Sequence, residues 1–219
     1  MRVATATAAL TFLLALIATG RETSGFHAFY NPVIHLTDYH QAVPNISWGL
    51  SYCCVGDPTN QINTFYEEPM GWQSMLNQLM PTDFYQLTYD TADIRISFIT
   101  DSAMDAKCGG GAVGCVSYDD GTQCVSACGH DLLHATQIRM WVRASYWSAA
   151  NTDTRRNLMN HETGHTLGLA EHYANNWQRG HVADTTVYTG VMDNDVADTL
   201  GWPDVGEAYG AYWVYTLWY

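Results

Sequence analysis

Apolar and polar residues alternate with a period of two in several short runs of this chain and with a helical period in others. Ile46, Trp48 and Leu50 alternate with small or polar neighbours, which predicts a half-buried strand over 45–51. Gly56-Asp57-Pro58 breaks that run, and Trp72, Met75, Leu76 and Leu79 then recur at helical spacing until Pro81 stops them. A second strand is expected over 84–88. A strong one follows over 92–100, with Ile94, Ile96 and Phe98 on one face and Asp93, Arg95 and Ser97 on the other. Residues 101–136 are rich in Gly and Cys and carry one short candidate edge strand, 114–118. Alternation returns through Ile138, Met140 and Val142. Asn151-Thr152-Asp153 offers caps for a helix that runs through Leu158 into the 160s. A last helix is expected after Pro203 and Asp204, with Val205, Tyr209, Tyr212 and Trp213 at roughly helical spacing. Strands first and a capped helix afterwards predict an α/β fold with a mixed, mostly parallel twisted sheet.

The ends of the chain change the picture. Arg2, the apolar or small run Val3–Ala18 and the small residues around Ala18-Thr19-Gly20 read as a secretory signal peptide over 1–20. Residues 21–44 show no period and are expected to be an irregular arm, which leaves 45–219 as one domain. The net charge is −13, and Lys107 is the lone lysine. Such a surface repels phosphate backbones and anionic lipid, so neither nucleic acid nor membrane is an expected partner of the exported chain. Six cysteines in an exported protein favour disulfides, with at least one staple among the four in 108–128. Cys53 and Cys54 would point to opposite sides of a strand and are not expected to pair with each other.

The chemistry concentrates in His161-Glu162-Thr163-Gly164-His165-Thr166-Leu167-Gly168-Leu169-Ala170-Glu171-His172. On a helix, His161 and His165 lie one turn apart on one face and can hold Zn²⁺. Glu162, beside a ligand, is placed to act as general base on a zinc-activated water and to return the proton to the leaving amine. Gly168 stops the helix and lets a third ligand turn back toward the ion. A His-Glu-x-x-His match alone is a moderate signal; the Gly, the capped helix and the leader sharpen it.

This run resembles the metzincin metallopeptidases, whose pattern is H-E-x-x-H-x-x-G-x-x-H with a later Met-turn. It is most similar to the small snapalysin-type enzymes, which carry Asp and then His where this chain has Glu171 and His172. Upstream, Trp72 and the run Ala92-Asp93-Ile94-Arg95-Ile96-Ser97-Phe98 look like the first helix and central strand of the matrixins. The likeness covers roughly 45–219 and is specific only over 161–172. It implies a metzincin-like sheet above a zinc ion, with a small C-terminal subdomain of loops that ends in a helix. It also implies Val191-Met192-Asp193 as the Met-turn, an apolar floor that does not bind the metal. Glu171 is favoured as third ligand because the turn after Gly168 sets which side chain faces the ion; His172 is the alternative. Asn194 stands where astacin-type members carry a Tyr ligand, so none is carried over.

The reading that results is a secreted, monomeric zinc endopeptidase acting on protein or peptide substrates. The competing class is a secreted non-catalytic binder on a degenerate peptidase scaffold, motivated by the substituted third-ligand position and the aromatic tail. Other candidates are weaker. Asp119-Asp120-Gly121 is open to a calcium loop or a plain turn, and the turn is favoured. His130 and His134 lack enough converging partners for a second metal.

Overall fold

A computed structural model of the chain describes residues 45–117, 138–169, 191–192, 202–203, 207–208 and 210–212, together with the backbone of 26–28, 38–41, 121–124, 132–135, 170 and 181–182. The elements in order are β1 (Phe26–Ala28), β2 (Asp38–Gln41), β3 (Asn45–Tyr52), α1 (Thr59–Glu67), α2 (Trp72–Asn77), β4 (Asp83–Gln86), β5 (Ile94–Ile99), α3 (Asp101–Cys108), β6 (Gly114–Ser117), β7 (Gly121–Cys124), β8 (Leu132–Ala135), β9 (Ile138–Arg143), α4 (Ala144–Ala149), α5 (Thr152–Thr166), β10 (Leu169–Ala170) and β11 (His181–Val182). Residues 207–208 and 210–212 are helical.

The alternating runs assemble into one five-stranded sheet of order β4-β3-β5-β9-β6. Its first four strands are parallel, and β6 closes the edge antiparallel to β9. Helical crossovers α1–α2 and α3 allow the parallel order, and the central strand β5 sets Ile96 between Leu50 and Met140. Both faces of a parallel sheet are covered, so the second face of β5 is not solvent-facing throughout. Ser97 is buried and shares a 2.7 Å hydrogen bond with the Tyr89 hydroxyl. Asp93 accepts from the backbone N–H (2.9 Å) and hydroxyl (2.7 Å) of Ser47, which pins the start of β5 to β3.

The core lies between this sheet and the helices and is rich in aromatics. Tyr66 meets Trp48 edge-on and Phe84 at a tilt, and Phe98 meets Trp147 edge-on. Burial of Ile62, Phe65 and Tyr66 at i, i+3 and i+4 explains α1, which the sequence pattern had not isolated from the loop after Pro58. Helix α3 likewise forms inside the Gly- and Cys-rich stretch: it buries Met104, and Arg143 bonds Asp105 and the Ala112 carbonyl.

Two expectations need correction. The segment 21–44 is not wholly irregular. It supplies β1 to an antiparallel sheet of order β10-β1-β11 and β2 to a sheet of order β2-β8-β7. Strands this short carry too few side chains to show a period, and their partners lie far along the chain. Cys53 and Cys54 do pair with each other. The chain leaves β3 at Tyr52 and turns at these two residues, so strand alternation does not govern them. The expected local staple in 108–128 is present as Cys108–Cys115, joining the end of α3 to β6. The side chains of Cys124 and Cys128 lie outside the described residues, as does the segment 1–20 expected to be a signal peptide. No helix among the described residues is long and apolar enough to cross a membrane.

Candidate metal centre

Helix α5 begins where its caps predict: the Asn151 side chain accepts from the Thr154 N–H at 2.8 Å. Its sequence is polar, yet residues 157–164 are buried. Such a helix needs specific anchors rather than an apolar stripe. Trp72 of α2 donates its indole N–H to the Asn160 carbonyl at 2.8 Å, and the Tyr66 and Thr163 hydroxyls share a 3.0 Å hydrogen bond. Burial raises the Tyr66 phenol to about 12, partly offset by that bond to Thr163. The helix ends at Thr166, and the chain turns away at Gly168, whose φ of 87° is open to glycine at little cost. The chain then enters β10, which pairs Leu169 with Ala28 and Ala170 with His27.

The fold brings His161 and His165 together. Their rings stand edge to face with centroids 4.7 Å apart, close enough to reach one ion at the ~2.0–2.1 Å of a zinc–nitrogen bond. His161 Nδ1 lies 2.8 Å from the Val191 carbonyl, and His165 Nδ1 lies 2.9 Å from the Leu169 carbonyl. A carbonyl can only accept, so both Nδ1 atoms carry the proton and both lone pairs sit on Nε2. This is the arrangement that metal-bound histidines use. Burial, and after it the neighbouring His161, holds the His165 imidazole down to about 3 against the weaker pull of the Leu169 bond. The ring is therefore neutral at physiological pH, as a ligand must be. The pair fits a zinc ion on these grounds.

Glu162 is buried at 4 % exposure and turns toward the edge strand. A Cβ at Gly114 of β6 would overlap the Glu162 Oε1 and lie 2.7 Å from its Cδ and 2.9 Å from its Cγ. The missing side chain at 114 is thus the space the carboxylate occupies. On another side of the helix, Gly164 vacates room for Met192: a Cβ there would overlap its Sδ and lie 3.2 Å from its Cε and from Trp72 Cζ2. Val191 and Met192 form a fully buried turn against the motif, which is where an apolar floor was expected. Neither glycine's purpose was legible from spacing, because each is defined by a residue distant in the chain.

Sequence reasoning also missed Glu207. It is fully buried and accepts from the backbone N–H of Met192 at 2.6 Å and of Val191 at 3.1 Å. The one available signal was an acidic residue in an otherwise small and aromatic stretch, near Ala208 and Ala211, which are buried with it.

Glu171 and its alternative His172 lie outside the described residues, as do Asp119, Asp120, His130 and Asn194; His134 is described in its backbone alone, within β8. Among the described residues no group of three His, Cys, Asp or Glu side chains converges as a metal site. The described part of the centre is the histidine pair, Glu162 and the turn beneath them.

No curated protein matches the chain. Among solved structures, it is similar to a chain of the ECX AB5 holotoxin in its GM1-bound form, at 12% identity and a TM-score of 0.51, over 89% of this chain and 92% of that one. At that identity the likeness is one of fold alone. Residues 51–203, which include Gly114, the His161–His165 motif and the Met192 turn, match the family described as a protein of unknown function (DUF3152), and the chain belongs to that family.

Proposed function

We propose that this protein is a secreted zinc-dependent endopeptidase of metzincin type. The observation that carries the reading is the pair of imidazoles, each with Nδ1 bonded to a backbone carbonyl, standing 4.7 Å apart over a buried Met turn. His161, His165 and, from the motif, Glu171 would hold the ion. A zinc ion held there would supply Lewis-acid polarisation of a scissile carbonyl and a water of pKa about 7.

The chain's own groups do the rest. Glu162, walled in by Gly114, takes a proton from the attacking water and gives it to the departing amine. Burial of the motif keeps that exchange out of bulk solvent. The leader over 1–20 and the Cys108–Cys115 disulfide support an extracellular setting.

The test is casein hydrolysis by zinc-loaded full-length protein and its Glu162→Gln variant. Loss of a general base costs on the order of 10²–10⁴ in rate, while folding and bound zinc stay unchanged. Full activity in the Glu162→Gln variant would refute the mechanism. A zinc-free, inactive wild type would favour the non-catalytic binder instead.

A further inference from the structure

The two motif histidines lean on backbone of different kinds. His165 bonds the carbonyl of Leu169, which is held in β10 by pairing with β1. His161 bonds the carbonyl of Val191, which lies in a turn and needs another anchor. Glu207 is that anchor, and its contacts reach further than holding a loop. The Met192 N–H that donates to Glu207 Oε1 at 2.6 Å belongs to the same peptide group as the Val191 carbonyl that accepts from His161 Nδ1 at 2.8 Å. One peptide plane thus links a buried carboxylate to the outer nitrogen of a ring. The second carboxylate oxygen takes the Val191 N–H at 3.1 Å and keeps the plane from rotating.

We propose that Glu207 is a positioning residue for the metal centre: through the Val191–Met192 peptide it holds His161 in the Nδ1–H tautomer and strengthens Nε2 as a zinc ligand. A bond from a charged acceptor is stronger than a neutral one. Drawing on the Met192 N–H, it polarises the amide and makes the Val191 oxygen a better acceptor. That oxygen in turn pulls on the His161 Nδ1–H and leaves more electron density on Nε2. The part concerning zinc rests on the endopeptidase reading; the part concerning the tautomer does not.

The experiment compares full-length wild type with Glu207→Gln by three readouts. These are zinc affinity from chelator competition, ¹⁵N shifts of the histidine rings in metal-free protein, and the thermal midpoint of the metal-free protein. Gln keeps the size but loses the charge. Zinc affinity should fall on the order of 10–100-fold, and the His161 ring should change from a single Nδ1–H tautomer to a mixture while His165 keeps its own. A folded Gln variant with wild-type affinity and an unchanged His161 ring would overturn the proposal, as would a lowered midpoint with no change in either. Should Gln prevent folding, Glu207→Asp, with the charge kept and the reach shortened, should show the same changes in smaller degree. The wild-type spectrum decides independently: an Nε2–H tautomer at His161 in metal-free protein contradicts the assignment. If wild type takes up no zinc while the His161 shifts still respond to Glu207→Gln, the endopeptidase reading fails and the positioning role stands.

Discussion

The sheet side and the floor side of helix α5 hold the same motif by different physics. Toward the sheet, the helix meets large aromatic side chains, Trp72 and Tyr66, which belong to an apolar core continuous with β3, β5 and β9. Toward the floor, it meets a turn whose backbone is fastened by one buried carboxylate and whose Met fills the space left by a glycine. The first side tolerates small changes in shape, because many contacts share the load. The second depends on a few directed bonds and on the absent Cβ of Gly164, as the Glu162 carboxylate depends on the absent Cβ of Gly114, so single substitutions at these points should reach the chemistry as well as the fold.

The largest effect that would sharpen this contrast is expected at Gly114. Alanine there needs the space held by the Glu162 carboxylate, and β6 is an edge strand with room to keep its pairing. Catalytic rate should fall on the order of 10²-fold, the cost of moving a reacting group by about 1 Å, with little change in denaturant midpoint. Casein turnover and urea unfolding of Gly114→Ala measure both; an active variant would show that Glu162 does not depend on that gap.

Gly164→Ala comes next. Its Cβ would overlap the Met192 sulfur and press on Trp72, so both sides of the helix should register the change. Overpacking of this kind costs about 1–3 kcal/mol, read as a lowered unfolding midpoint, and it should loosen the Val191 carbonyl that His161 uses. If stability is unchanged, Met192 is not packed where the account requires.

The smallest effect belongs to the sheet side alone. The Tyr66 phenol, raised to about 12 by burial, keeps its proton in the folded state while the unfolded chain begins to release it near the ordinary tyrosine value of 10.0. The folded state therefore binds more protons in that window. The stability contribution is intact below pH 10 and is lost as pH rises toward 12. Tyr66→Phe should remove this component of the alkaline decline in denaturant stability; a decline of equal slope in both proteins would show that Tyr66 is not the source.

How much of this was legible in the chain follows the same division. Ile46, Trp48, Ile94, Ile96, Met140 and Val142 announced the parallel strands because burial of a pleated face leaves a period of two. The caps at 151–153 and the stop at Gly168 announced α5 because helix ends need particular residues. Short β1 and β2 were not legible, since three or four residues carry no usable period and their partners come late in the chain. Helix α1 was readable from Ile62, Phe65 and Tyr66, but the turn signal at Pro58 masked it. At the candidate centre, His161, Glu162, His165 and Met192 were named from spacing and resemblance. Gly114 and Glu207 were not, because their meaning lies in contacts spanning 48 residues in one case and 15 in the other.

The central claim is that His161 and His165 grip a divalent metal. Full-length protein, loaded with zinc and dialysed into metal-free buffer, should retain about one equivalent by elemental mass spectrometry, as a single site of this kind holds. His161→Ala and His165→Ala should each lose it. A folded wild type that keeps no zinc, or alanine variants that keep as much as wild type, would contradict the account.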